Sequence, residues 1–322
     1  MDSADWAPGA SLAVLQQRAR ILQAVRAFFV ARDCLEVETP LLSRAGTTDP
    51  NIESFRVPIG ADQRYLITSP EFHMKRLLAA GSGSIFQVAR VFRDRERGQR
   101  HNPEFTLLEW YRVGFDYQQL MAEVEELLRH VLAESQDPGP ARKIRYQDLF
   151  FQYLQLDPLT AGFEELYHCW QGEHGEIQGL AAGDREGLLD LIFGGLLQPR
   201  LRSQGMVFVY DFPAAQASLA RLCIQDERFA ERFEVFIDGV ELGNGFSELT
   251  DAGEQRKRFD QDLRRRAACG QDPVVMDDQL LAALTHGLPP SAGVAIGLDR
   301  LCMAAGNLAK IDDAVAFPWE GA

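Results

Sequence analysis

The sequence predicts an α+β fold, an antiparallel β-sheet flanked by helices, and three observations predict it. Residues 84–93 (SIFQVARVFR) and 104–113 (EFTLLEWYRV) both have strand character and enclose a basic, nearly apolar-free loop, as in a long antiparallel hairpin. Residues 232–249 (RFEVFIDGVELGNGFSEL) place Asp238-Gly239 between alternating apolar residues, the signature of a two-residue hairpin turn. Residues 291–300 (SAGVAIGLDR) form a small, apolar strand that runs into a helix start at Asp299-Arg300.

Composition bounds this picture. The chain has 322 residues, of which 46% are hydrophobic and 25% charged, as in ordinary globular proteins. That length permits one large α/β or α+β domain or two smaller ones, and the absence of a clear linker favours one. Lys and Arg number 33 and Asp and Glu 47, a net charge of −14. Such a surface disfavours a broad tRNA or DNA platform but still allows a local anion pocket. The five cysteines are scattered, without a Cys-x-x-Cys pair, and read as reduced, buried thiols of a cytoplasmic protein. His168, Cys169 and His174 lack a fourth partner for zinc. The acidic N-terminus has no apolar core like that of a signal peptide, and no apolar run reaches membrane-spanning length.

In chain order, residues 1–10 read as a lead-in, and Ser11 caps a helix to about Arg32 with Leu12, Leu15, Ala19, Leu22 and Phe29 at helical spacing. Leu35, Val37 and Thr39 alternate with Glu36 and Glu38 as a half-exposed strand, which Pro40 ends or places at an edge. Residues 65–68 read as a short strand. Ser69-Pro70-Glu71 then opens a helix, with Ser69 as N-cap and Pro70 at the first helical position, running to Ala80. Asp116 caps a further helix carrying Leu120, Val124, Leu127 and Val131, which QDPGP (136–140) breaks. Residues 141–203 carry mixed helical signals and read as a small helical insertion. Residues 206–212 (MVFVYDF) form a buried strand ended by Pro213.

Chemistry concentrates in the three segments named first. Strand alternation puts Phe105, Glu109 and Tyr111 on one face, next to Arg93 at the end of the partner strand. That wall suits a flat base, a phosphate and an ammonium; a surface hairpin with a solvated tip fits the local pattern equally. In the second hairpin the turn pairs Ile237 with Val240 and Phe236 with Glu241, so Glu234 lies diagonally from Glu241 on the same face. Two carboxylates there suit a magnesium ion that bridges phosphates, against the alternative of acids on a solvent-facing sheet. Gly243 and Gly245 let something approach the backbone. Arg300 offers a guanidinium to phosphate, and the glycine spacing is not a dinucleotide fingerprint. Glu71, in the first turn of its helix, satisfies the helix dipole or receives an amino group.

These segments, in this order, resemble the three motifs of a class II aminoacyl-tRNA synthetase catalytic core. The helix and strand ending at Pro40 resemble motif 1, the dimer element; the Arg93 hairpin resembles motif 2; and Gly297-Leu298-Asp299-Arg300 resembles motif 3. The strings RHNPEFTLLEWY and ELGNGFSEL are those of the lysyl subgroup, and the resemblance covers residues 11–322. Because motif 1 begins almost at once, leaving no space for an anticodon-binding barrel, the chain resembles the truncated lysyl-synthetase paralogues that join (R)-β-lysine to a lysine of elongation factor P. The resemblance implies a cytoplasmic homodimer that uses ATP and Mg2+, with no tRNA or membrane partner.

By position, the resemblance gives Arg93 the α-phosphate and the substrate carboxylate, gives His101 and Asn102 contacts to ATP, and stacks Phe105 on adenine. Glu234 and Glu241 would hold the metal, with Leu242 beside the adenosine, Gly297 as floor and Arg300 at the γ-phosphate. Ser69, Pro70, Glu71, Tyr111 and Glu248 would bind the diamino acid, with Glu109 and Asn244 as further candidates. Two departures stand out. The Glu expected two residues after Arg93 is Arg95 here, with the acid displaced to Glu96, so Asp94 and Arg95 are candidates for reaching ATP by another route. Ala295 stands where lysyl synthetases usually have glycine, and its added methyl fits a guest whose amino group is shifted, as in β-lysine. Two other readings compete: a lysine-activating enzyme that charges tRNA or a small acceptor, and a non-catalytic nucleotide-binding regulator.

Overall fold

The fold was analysed in a computed structural model that describes residues 6–133, 135, 137–177, 180 and 183–322. Residues 1–5 of the lead-in, Gln136 of the helix-breaking stretch and Gly179 lie outside the described residues. The first half runs α1 (Leu12–Val30), β1 (Leu35–Glu36), β2 (Leu42–Ser43), β3 (Arg56–Ile59), β4 (Asp62–Leu66), α2 (Glu71–Ala79), β5 (Ile85–Phe92), β6 (Glu104–Val113) and α3 (Tyr117–Leu132). There follow β7 (Arg142–Arg145), α4 (Tyr146–Leu154), α5 (Phe163–His174), α6 (Arg185–Ile192) and β8 (Met206–Pro213). The chain closes with β9 (Phe229–Ile237), β10 (Val240–Ser247), α7 (Ala252–Ala268), α8 (Asp278–Gly287), β11 (Ser291–Gly297) and α9 (Leu298–Gly306).

Eight strands form one sheet in the order β1-β5-β6-β11-β10-β9-β8-β7, and β2-β4-β3 form a small second sheet. The six central strands are antiparallel, and the two edge pairs, β1 with β5 and β7 with β8, are parallel. The sheet is therefore mixed at its edges, where the sequence predicted only antiparallel pairing. Both hairpins form as expected. Asp238 and Gly239, at φ of 46° and 75°, make the turn whose twist matches the flanking strands.

Alternation along the central strands sorts their side chains. Leu108 and Trp110 of β6, Phe233 and Val235 of β9 and Val294 and Ile296 of β11 face one way, into a core shared with Phe29 of α1, Leu127 of α3 and Leu301 of α9. Phe29 stacks on Phe86 at 4.7 Å, and the buried Trp110 indole donates to Glu123 at 3.1 Å. The other face carries Glu109, Tyr111, Gly293 and Ala295 beside a second apolar cluster contributed by α4, α6 and β8.

Local signals hold where the cap chemistry is strong. Ser11 accepts from Val14 N, and Asp116 forms a full capping box with Gln119. Three expectations shift. The strand expected over residues 35–39 pairs for only two residues, although Val37 N still donates to Phe86 O at 2.9 Å. The α2 helix starts one residue late: Pro70 is its N-cap, and Ser69 Oγ accepts from Glu71 N at 3.2 Å. The strand expected at 65–68 is β4, three residues earlier. The cysteines are free, as expected, but Cys269 is exposed and Cys169 only partly covered.

Candidate active site

One cavity of about 810 Å³ opens on the side of the sheet away from α1, α3 and α9. Its wall collects Ser69, Glu71, Arg93, His101, Asn102, Phe105, Glu109, Tyr111, Glu241, Leu242, Asn244, Ala295, Gly297 and Arg300 from segments more than 200 residues apart. Pro70, Asp94, Arg95, Glu234 and Glu248 are not part of that wall.

At one end the β5–β6 loop folds over Arg300. The Arg300 guanidinium donates to Arg100 O at 3.3 Å and Glu241 O at 3.0 Å, meets Glu241 Oε2 at 3.3 Å and bonds His101 Nε2 at 2.7 Å. Burial, reinforced by Arg300, lowers the His101 pKa, so the imidazole is neutral and accepts from the guanidinium. Arg93 lies 5.1 Å over the Phe105 ring, donates to Thr68 O at 3.3 Å and pairs with Glu96 at 3.2 Å. Glu96 thus meets the arginine from the displaced position. Arg95, at φ 64°, turns outward into solvent, and Asp94 receives that residue's N–H at 2.9 Å while its own N–H donates to Glu53 O. Asn102 lines the cavity with both ends engaged: its Nδ2 donates to Glu104 O at 2.6 Å, and its Oδ1 accepts from Trp319 N at 3.0 Å.

The carboxylate hairpin differs from its expected register. A bulge between Glu241 and Gly243 sets Glu234 opposite Asn244 instead of Gly243. Arg232 bridges the result, donating to Glu234 at 2.6 Å and to Asn244 Oδ1 at 3.0 Å. Burial, opposed by Arg232 and abetted by Glu241, pushes Glu234 up to about 7. The glycines of β10 admit neighbours from the same chain. A Cβ on Gly245 would meet Phe233 at 2.6 Å and Val294 at 2.7 Å, and one on Gly243 would strike β11.

The other end is an acid-lined slot. Tyr111 donates to Glu109 Oε1 at 2.6 Å, while Glu109 Oε2 is buried without a hydrogen-bond partner. Glu248 lies behind, 2% exposed, against Lys75. Lys75 Nζ is 2.5 Å from Glu248 Oε2 and 2.5 Å from Glu71 Oε1. Burial pushes both Glu109 and Glu248 up to about 8, with Glu71 adding to the effect and Lys75 opposing it. Burial and Glu109 hold the Tyr111 phenol protonated. Ala295 pairs with Glu109 across the β11–β6 ladder, and Gly293 pairs with Tyr111. A Cβ on Gly293 would come within 2.6 Å of Glu248 Oε1 and would overlap the Tyr111 ring.

Two connected halves, one lined by arginines and one by carboxyls, bring the three motif segments to one cavity. The family model for class II tRNA synthetases (D, K and N) matches residues 4–321. The chain belongs to this class II synthetase family. Relatives named elongation factor P–(R)-β-lysine ligase include one from Pectobacterium carotovorum, 48% identical over 332 residues, which covers 100% of this chain and 99% of that protein. Another, from Pseudoalteromonas translucida, is 49% identical over 322 residues, 97% of each chain. A third, from Edwardsiella ictaluri, is 48% identical over 324 residues, 98% of each.

Within this class II core, sequence reasoning passed over three supports. Asp299, 2% exposed, accepts from Arg18 Nη1 at 2.5 Å and from Thr106 N at 2.8 Å, tying motif 1, motif 2 and motif 3 together. Its place beside Arg300 in the motif was the available signal. The C-terminal segment clasps the motif 2 loop through Ile311 N to Gln99 O at 2.8 Å, the Trp319–Asn102 bond and the Arg97–Glu320 pair. Lys75 gave no signal at all, because a lysine on a short amphipathic helix reads as solvated.

Proposed function

We propose that the chain activates (R)-β-lysine with ATP and transfers it to a lysine side chain of elongation factor P. The observation that carries this reading is the buried, unpartnered Glu109 oxygen in an acid-lined slot that opens into the arginine-lined half of the same cavity. A neutral side chain would leave that carboxylate buried and unpaired, which is costly, so the slot selects a guest with an extra ammonium. The names of the full-length relatives agree.

The chain is an AMP-forming, ATP-dependent ligase. In the first step the amino-acid carboxylate attacks the α-phosphorus, the bond to the bridging oxygen breaks, and pyrophosphate leaves. In the second, a protein amine attacks the adenylate carbonyl, an amide forms, AMP departs and the amine's proton passes to solvent. Arg93 and Arg300 bind and orient the phosphates, which is most of what an in-line displacement asks of the protein. Phe105 offers its ring to adenine, and Glu109, Glu248 and Tyr111 position the diamino acid. Glu234 and Glu241 are the residues that would hold magnesium. Burial, with Glu241 adding to it, raises Glu234, a cation would offset both, and a two-carboxylate donor set suits an ion that keeps waters and phosphate oxygens. Magnesium, when bound, neutralises charge on the phosphates.

Ala295, beside Glu109, narrows the slot against an α-amino group and fits the β-isomer. The exposed apolar residues Val30, Leu35, Leu41 and Leu42 at the motif 1 segment support a homodimer, and the net charge of −14 fits a chain without tRNA. No helix among the described residues is long and apolar enough to cross a membrane. A substrate that belongs to translation supports a cytoplasmic setting. Pyrophosphate exchange with (R)-β-lysine against α-lysine, followed by mass spectrometry of elongation factor P, tests the reading. Better exchange with α-lysine and transfer to tRNA would reverse it.

A further inference from the structure

Lysine side chains are almost never fully buried unless paired. Lys75, in the middle of α2, is 2% exposed and is held between two carboxylates at 2.5 Å each, with the Phe246 ring 5.3 Å from its ammonium. Helix geometry explains one partner, since Glu71 lies one turn earlier on the same face. The other, Glu248, comes from the end of β10, so the ammonium pins a helix to the sheet inside the slot. The charged groups that act on it are Glu71 from α2, Glu248 and, from β6, Glu109, to which the Tyr111 phenol donates. Asp277, ahead of the neighbouring α8, faces His73 instead.

The charges match the guest. Three carboxyls, Glu71, Glu109 and Glu248, surround one built-in ammonium, so two further positive charges leave the ionised slot neutral. Lys75 meets one oxygen each of Glu71 and Glu248, and Glu109 Oε2 and Glu248 Oε1 stay buried without a hydrogen-bond partner. Lys75 also opposes the effect of burial on both Glu109 and Glu248, keeping them closer to the ionised form that an ammonium needs.

We propose that Lys75 is a positioning residue for the diamino acid: its ammonium fixes the aim of Glu71 and Glu248 and sets a built-in positive charge among the slot's carboxyls before the guest's ammonium groups arrive. The proposal rests on the diamino-acid reading given above.

Pyrophosphate exchange across pH tests it, with Lys75→Met, which keeps the bulk and removes the charge, and Lys75→Arg, which keeps the charge and disturbs the packing. In the wild-type chain, kcat/KM for (R)-β-lysine is expected to rise with pH to a plateau as the slot's carboxyls ionise. K75M is expected to move that inflection upward by about one pH unit or more, because the nearby cation is gone. Its KM for the diamino acid rises about tenfold or more at neutral pH, and its KM for ATP stays put. K75R is expected to keep the wild-type inflection even where its affinity drops. A K75M profile that overlays wild type overturns the proposal, as does an equal displacement in K75M and K75R. Should K75M fail to melt cooperatively, K75R decides alone: a wild-type inflection supports the proposal and a displaced one overturns it. A wild-type chain that activates no diamino acid refutes the functional reading itself, before any variant is made, and takes this inference with it.

Discussion

Replacing Asp299 by Asn probes the joint between the three motifs. The carboxylate takes two donors, the Arg18 guanidinium and the Thr106 backbone N–H, and Arg18 also reaches Thr106 Oγ1 at 2.9 Å. Asparagine fits the same space but has only one acceptor oxygen. Its amide NH2 must then face one of those donors, and Arg18 loses its countercharge. Removing one member of a buried pair costs about 3–5 kcal/mol. Arg18 is 15% exposed, and water there softens the loss, so the low end applies. With an unfolding entropy of about 2.1 cal/mol/K per residue, a 322-residue chain has roughly 0.7 kcal/mol/K, and ~3 kcal/mol lowers Tm by about 4 °C. The assay is a melting curve for D299N, for Arg18→Met and for the double variant. Because each single change breaks the same pair and strands the other member, the double should lose less than the sum, with a coupling of about 1–3 kcal/mol. A D299N Tm within about 1 °C of wild type, or strictly additive effects, would refute the reasoning.

Other outcomes follow from the slot and the loop. Gly293→Ala should raise KM for the diamino acid by roughly five- to a hundredfold while sparing ATP, because the new methyl meets Glu248 and Tyr111; isotope exchange at varied amino-acid concentration reads it. Glu109 and Glu248 titrate near 8 in the fold against about 4.3 in an unfolded chain. Between those values the folded state holds more protons, so these groups contribute stability that fades as pH rises through about 8. Urea midpoints at pH 6.5 and 8.5 should show the loss, and (R)-β-lysine should stabilise more at the higher pH. Arg300→Ala removes the hook for the motif 2 loop and, on the proposed function, a phosphate ligand with it, so adenylate formation should fall by about a hundredfold or more in single-turnover kinetics.

What the sequence could convey is what its chemistry makes local. Asp116 caps, Asp238-Gly239 turns and the alternation of β6 are decided within a few residues, and all three form as read. The bulge at Glu241 is set by how β10 must meet β11 as well as β9, and nothing in the hairpin alone reports it. The parallel edges β1 and β7 depend on partners far along the chain, which alternation cannot specify. Gly243 and Gly245 announced a close approach but not its agent, which turned out to be the adjoining strands. Lys75 is the sharpest case: its meaning comes from Glu248, 173 positions later, and the pattern of its own helix argued for water.

Room for the guest is made by omission. Gly293, Ala295 and Gly297 alternate along one face of β11, a strand bonded on both sides in the middle of the sheet, so the backbone beneath is stiff; the carbon missing at Gly293 admits Tyr111 and Glu248 to the slot, and the small size of Ala295 and Gly297 keeps the rest of the floor low. A floor of that kind can be raised or lowered by single methyl groups while its foundations stay still. Discrimination among amino acids of nearly equal size thereby becomes a matter of a few discrete steps, accessible to single-codon changes and to the protein engineer alike.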